Sequence, residues 1–125
     1  MSNIENQTQL RNSGIIPIVL ELFETHLEEP AIVKRTIDAI CGLAKDEINQ
    51  KILLESCVCD LLIDAFCFHT ENKEIRKSFI MASVALSESH EGQDKISSTM
   101  RRLLTPEEIA IIVDDCKKLK IARSC

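Results

Sequence analysis

Apolar residues recur along the chain at helical spacing, in blocks separated by short polar stretches. Val33, Ile37, Ile40 and Ala44 follow one another at intervals of three and four, beside Ile32, Thr36, Ala39 and Leu43, and this broad stripe predicts a core helix over about 31–44. The same spacing predicts helices near Ile15 to Phe23, Glu47 to Glu55, Val58 to Cys67 and Lys73 to Ser87. Pro30 suits the first turn of the 31–44 helix, with Glu28 and Glu29 near its positive end, and Asn72 is the matching cap candidate for the helix starting at Lys73. Gly14 supplies a turn before Ile15. Thr105-Pro106-Glu107-Glu108 combines a capping hydroxyl, a proline at the first helical position and a Glu three residues after the cap, so a last helix starts there. Its stripe of Ile109, Ile112, Val113, Cys116 and Leu119 predicts a covering helix, with Asp114, Asp115, Lys117 and Lys118 facing away.

The blocks repeat. Shifting the sequence by 43 residues pairs 6–44 with 49–87, and 12 of these 39 pairs are identical, where average residue usage would give about two or three. Asn6/Asn49, Gln7/Gln50, Phe23/Phe66, His26/His69, Lys34/Lys77 and Leu43/Leu86 are among them, and pairs such as Ile18/Leu61 and Glu21/Asp64 conserve character. A helical period near 43 is the mark of units that bury their apolar faces only against a neighbour.

With 125 residues the chain is long enough for one core and too short for two. Hydrophobic residues make up 45% and charged residues 28%, which argues for a folded chain, and three Gly, three Pro, no Trp and no Tyr argue against many short strands. The expectation is an all-α, single-domain protein over 1–125. It divides into repeat one at about 4–46, repeat two at about 47–90 and C-terminal capping helices at about 91–120.

The N-terminal residues have neither a basic start nor an apolar run, and no stretch of about 18 apolar residues occurs, so a cytoplasmic or nuclear location and no membrane partner are expected. The six cysteines are then reduced thiols acting as small buried hydrophobes. Residues 1–94 carry 8 Lys/Arg against 16 Asp/Glu, a balance of −8, and 95–125 carry 7 against 4, a balance of +3. Arg101, Arg102, Lys117, Lys118, Lys120 and Arg123 could attract nucleic acid, but Asp114 and Asp115 interleave with the lysines, no aromatics stand there for base stacking, and helix C-termini favour cations in any case. Nucleic acid is therefore disfavoured as a partner.

Cys57, Cys59, Cys67 and His69 have the look of a zinc set. Residues two apart on a helix point about 200° away from each other, however, and the first repeat has Gly14, Ile16 and Glu24 at the cysteine positions. His26 and His69, each following a helix, suit carbonyl capping. No phosphate loop, HExxH, dinucleotide fingerprint or triad is present, so neither a cofactor nor an enzyme activity is expected.

Asn49-Gln50-Lys51-Ile52-Leu53-Leu54-Glu55, followed by Val58 to Phe66 and Ile75 to Leu86, resembles the armadillo repeat, as does Asn6-Gln7 through Leu43 with its Ser-Gly turn, Ile-Ile-Pro-Ile-Val-Leu-Glu-Leu run and closing Cys41-Gly42-Leu43-Ala44. The resemblance covers roughly 90 of the 125 residues. It implies a short right-handed α-solenoid of three-helix repeats with a C-terminal capping helix, whose third helices line a concave groove that binds other proteins. Armadillo proteins that clamp extended peptides carry a Trp and an Asn four residues apart on the third helix. Here those positions hold Asp38 and Gly42, then Met81 and Ala85, which disfavours that mode of peptide binding. The groove would be lined by Lys34, Asp38, Lys45, Lys77, Met81 and Glu88, a mixed-charge surface suited to a folded or helical protein partner. Two other readings stand beside this one. The chain could be a structural subunit or array fragment acting through its stack ends, including as a homo-oligomer, or a thiol- or metal-dependent regulator.

Overall fold

A computed structural model describes residues 3–119, which form eight α-helices and, among the described residues, no strand. In order they are α1 (Asn3–Asn12), α2 (Ile15–Thr25), α3 (Pro30–Leu43), α4 (Glu47–Leu54), α5 (Val58–Phe68), α6 (Lys73–Leu86), α7 (His90–Leu103) and α8 (Pro106–Lys118). The fold is all-α. None of these helices is long and apolar enough to cross a membrane.

The 43-residue shift carries α2 onto α5 and α3 onto α6 with identical limits, and it carries the start of α4 onto the start of α7. Helix α3 packs along α6, which packs in turn on α8, while α5 lies between α2 and α7. The α1–α2–α3 layer and the α7–α8 layer are thus opposite ends of the molecule, with α4–α6 between them.

Capping chemistry sets the boundaries. The Asp46, Asn72 and Ser89 side chains accept from the backbone N–H groups of Asn49, Ile75 and Gly92, and Thr105 and Glu108 close a reciprocal capping box at α8. Helix α3 starts on Pro30 without a side-chain cap, since a proline at the first position removes one of the N–H groups a cap would satisfy. Gly14, at φ 81, makes the α1–α2 turn through the left-handed region. Its repeat-mate Cys57 stands at φ −88, so the two units make this turn differently.

The core runs through all layers. Phe23, Val33, Ile37, Ile40, Leu53, Phe66, Phe79 and Leu86 have essentially no exposed surface, and the Phe66 and Phe79 rings meet at 5.2 Å between centroids. Helix α8 departs from the pattern read in the sequence: Asp115 is buried and Val113 is exposed. The reason is Arg76 of α6, whose Nε and Nη2 reach both oxygens of Asp115 at 2.8 and 3.1 Å and draw that carboxylate inward. Lys120, Arg123 and Cys125 lie outside the described residues.

Candidate interaction face on the third helices

The solvent-facing side of α3 presents Lys34, Asp38 and Cys41, with Lys45 in the turn just after it, and that of α6 presents Lys77, Met81 and Val84, with Glu88 in the turn just after it. The spacing of four and three keeps the helical members of each set on one face, and the 43-residue shift pairs the two sets position by position. Because α3 and α6 pack side by side, the sets lie next to each other as two rows of one surface.

Interactions of Lys34 and Asp38 tie α3 to α6 beside these rows. Lys34 Nζ donates to Asp38 Oδ2 at 2.8 Å, one turn along α3. Burial pushes the Asp38 carboxyl up, but hydrogen bonds from Lys34 and from Ser78 of α6, with the Lys34 charge, outweigh it and leave the group below its ordinary value. Lys34 is raised above its ordinary value, first by the hydrogen bond to Asp38 and then by that carboxylate's charge. Glu74 of α6 adds to the same effect. Both groups are ionised at neutral pH and form a solvent-exposed ion pair, and Met81 and Val84 are exposed on α6.

The remaining members of the set occupy the edges of this surface. Lys77 lines a cleft of about 280 Å³ between α6 and α8, together with Lys73, Glu74, Arg76, Asp115 and Lys118. Glu88 accepts from Gln50 Nε2 at 3.3 Å and borders a second cleft with Glu47, Lys51 and Glu91. Lys45 is exposed at the end of α3, and its charge acts on the Cys41 thiol, although burial dominates there and pushes that thiol up. The structure therefore joins Lys34 and Asp38 directly and places Lys77 and Glu88 at two separate clefts. The α6–α8 cleft with its Arg76–Asp115 pair does not follow from the spacing of residues along either helix. Its signal in the sequence is Arg76 itself, a charge standing where the first repeat has the buried Val33.

Two further groups of residues take positions other than those read from the sequence. The His69 ring meets the Leu27 carbonyl oxygen at 2.8 Å, across to the preceding layer, and the His26 ring meets Glu29. Neither ring caps its own helix; in both cases the backbone N–H does that work, bonding back to Leu22 and to Ala65. Cys57 and Cys67 are exposed, Cys59 is buried, and among the described residues no three His, Cys, Asp or Glu side chains gather into a group that could hold a metal ion.

Comparison with protein-family models, with curated proteins and with solved structures finds no match for this chain.

Proposed function

We propose that this chain is a protein-interaction module: a short right-handed solenoid of armadillo-like three-helix repeats that binds a folded or helical protein partner along the α3/α6 face. The observation that carries this reading is the register match of two four-residue rows, Lys34-Asp38-Cys41-Lys45 and Lys77-Met81-Val84-Glu88, along two adjacent helices and the turns that end them. A surface with exposed Met81 and Val84 at its centre and charges of both signs around them has the make-up of an interface, an apolar middle with a polar rim. Met81 is adaptable in shape, and the exposed Lys34–Asp38 pair offers charges of both signs to a partner. The module acts in the cytoplasm or the nucleus and performs no chemistry of its own.

The test is charge reversal of Lys34 and Lys77 to Glu, followed by affinity capture from lysate with the wild-type chain in parallel. Proteins retained by the wild type and lost from a variant of unchanged helicity support the face. Retention of the same proteins by the variant contradicts it.

A further inference from the structure

Helices α3 and α8 pack on opposite sides of α6. Ser78 of α6 hydrogen-bonds Asp38 of α3, Arg76 bonds Asp115 of α8, and residues two apart on a helix point away from each other. The two helices are held very differently. Helix α3 buries five of its fourteen residues, whereas α8 buries two of its thirteen, Ile112 and Asp115. Ile109, Ile111, Cys116 and Leu119 reach the core with only part of their surface. The cleft of about 280 Å³ runs along the same seam, lined by Lys73, Glu74 and Lys77 of α6 and by Lys118 of α8. Such a gap forfeits the dispersion contacts that a close-packed helix junction makes.

Polar contacts supply the rest of the attachment. Among the described residues, the hydrogen-bonded links from α8 to earlier helices are the Arg76–Asp115 pair and a contact of 3.9 Å between Cys67 Sγ and Glu108. A buried ion pair repays little beyond the desolvation of its own charges. Ile112 and its half-buried neighbours therefore carry most of the hold on α6, and a helix with so few buried apolar groups belongs to the low-stability end of a fold.

Helix α8 is also complete by itself. Its capping box, Pro106 at the first position, the Asp114–Lys118 pair at 3.1 Å and two lysines in the last turn all lie within 105–118. Helix α7 is fixed without it, since Lys95 donates to Leu54 O, Gln93 to Ser87 O and Arg102 to Asp60. Only Leu104 and Thr105, both in extended backbone, join the two helices. Rotation there moves α8 without disturbing α7.

We infer that α8 is a strap that opens as a unit while α3–α7 stay folded, and that the α6 seat it leaves takes a partner helix of the same chemistry. Such a helix carries an apolar residue followed three positions on by a carboxylate, as Ile112 and Asp115 do, to fill the core surface and meet Arg76. In the closed state α8 competes for its own seat, so the strap is autoinhibitory. This seat lies under α8 and does not depend on the α3/α6 reading.

Native-state hydrogen exchange on the full chain, read by mass spectrometry, should show the amides of 106–118 exchanging about tenfold or more faster than those of α5 and α6. Asp115→Ala should speed α8 about tenfold further and leave α5 and α6 as they are. Asp115→Asn, which keeps the shape, takes its place if the alanine variant unfolds. A labelled synthetic peptide of residues 105–119 should bind the Asp115→Ala chain about tenfold or more tightly than the wild type by fluorescence anisotropy, because the wild type's own α8 fills the seat. The same peptide carrying Asp115→Ala should bind neither chain as well. Exchange of α8 in step with α5 and α6 would rule out the strap, and a peptide that binds both chains equally, or neither, would rule out the seat; either result overturns the inference.

Discussion

The Gln50 side-chain amide donates to the Ala85 carbonyl oxygen at 2.9 Å, and the same bond appears 43 residues earlier between Gln7 and Gly42 at 3.0 Å. Both join the first helix of a unit to the end of its third, where the last carbonyls of a helix lack their regular helical partners; Gly42 O is also approached by backbone N–H groups of the turn after α3. Gln50 also donates to Ala44 O at 3.0 Å in the preceding layer, so one buried amide spans two layers.

Replacing Gln50 by Ala would leave these buried carbonyls unsatisfied, at a cost of about 1–3 kcal/mol. Gln7→Ala should cost less, because Gln7 lies in the less covered first layer. Urea denaturation of the two variants checks both the size and the order; an equal loss would mean that the second bond of Gln50 contributes nothing.

Arg76 and Asp115 form the strongest polar link to the last helix. Both side chains are mostly buried, the two oxygens of Asp115 are engaged, and Arg76 Nη1 also donates to Thr70 O at 2.9 Å. Removing one partner strands the other charge in a low-dielectric site, so Asp115→Ala should destabilise by about 2–3 kcal/mol. The double change Arg76→Met with Asp115→Leu should recover much of that loss, because it removes both desolvated charges together. A double-mutant cycle by thermal unfolding measures the coupling directly, and a value near zero would show that the link is not stabilising.

Gly92 sits where α7 approaches the end of α6. A Cβ at this position would stand 1.7 Å from the Leu86 carbonyl oxygen and 2.8 Å from its carbon, and backbone atoms cannot move aside as a side-chain tip can. Gly92→Ala should therefore destabilise despite the higher helix propensity of Ala, by about 1–3 kcal/mol as for other overpacked sites. Gly42, with nothing within 4 Å of its Cβ position, is the control: Gly42→Ala on α3 should be neutral or stabilising by about 0.5–1 kcal/mol.

Most of the fold can be read from local pattern, because the second and third helices have the same limits in both units and the caps are short-range. Asn72, Pro30 and the Thr105–Glu108 box all lie where the spacing of residues puts them. Contacts between layers are harder to read. Asp115 reads as a surface residue of α8 until Arg76, 39 residues away, is seen to take both its oxygens. His69 likewise reads as a cap for its own helix, while its ring bonds Leu27 of the preceding layer. The residues of the candidate face follow from periodicity along α3 and α6, but their division between a joined Lys34–Asp38 pair and two clefts depends on α7 and α8, whose packing no local spacing encodes.

Thiol chemistry offers a test of the burial pattern that is independent of stability. Cys59 is buried on the α7 side of α5, and desolvation pushes its thiol up to about 11, against the opposing charge of Lys95. Cys67 is exposed but also raised, first by desolvation and then by Glu108, whose carboxylate lies 3.9 Å from its sulfur. Cys57 is exposed at the start of the same helix. The thiolate is the reactive form, and raising a thiol pKa lowers its population at any lower pH. At pH 8 only about 0.1% of Cys59 would be thiolate, so alkylation should proceed in the order Cys57, Cys67, Cys59. Raising the pH toward 9 should accelerate Cys67 and leave Cys59 slow, since burial also denies the reagent access. Mass mapping of iodoacetamide adducts over time reads the order, and early modification of Cys59 in the folded protein would show that α7 does not cover this side of α5.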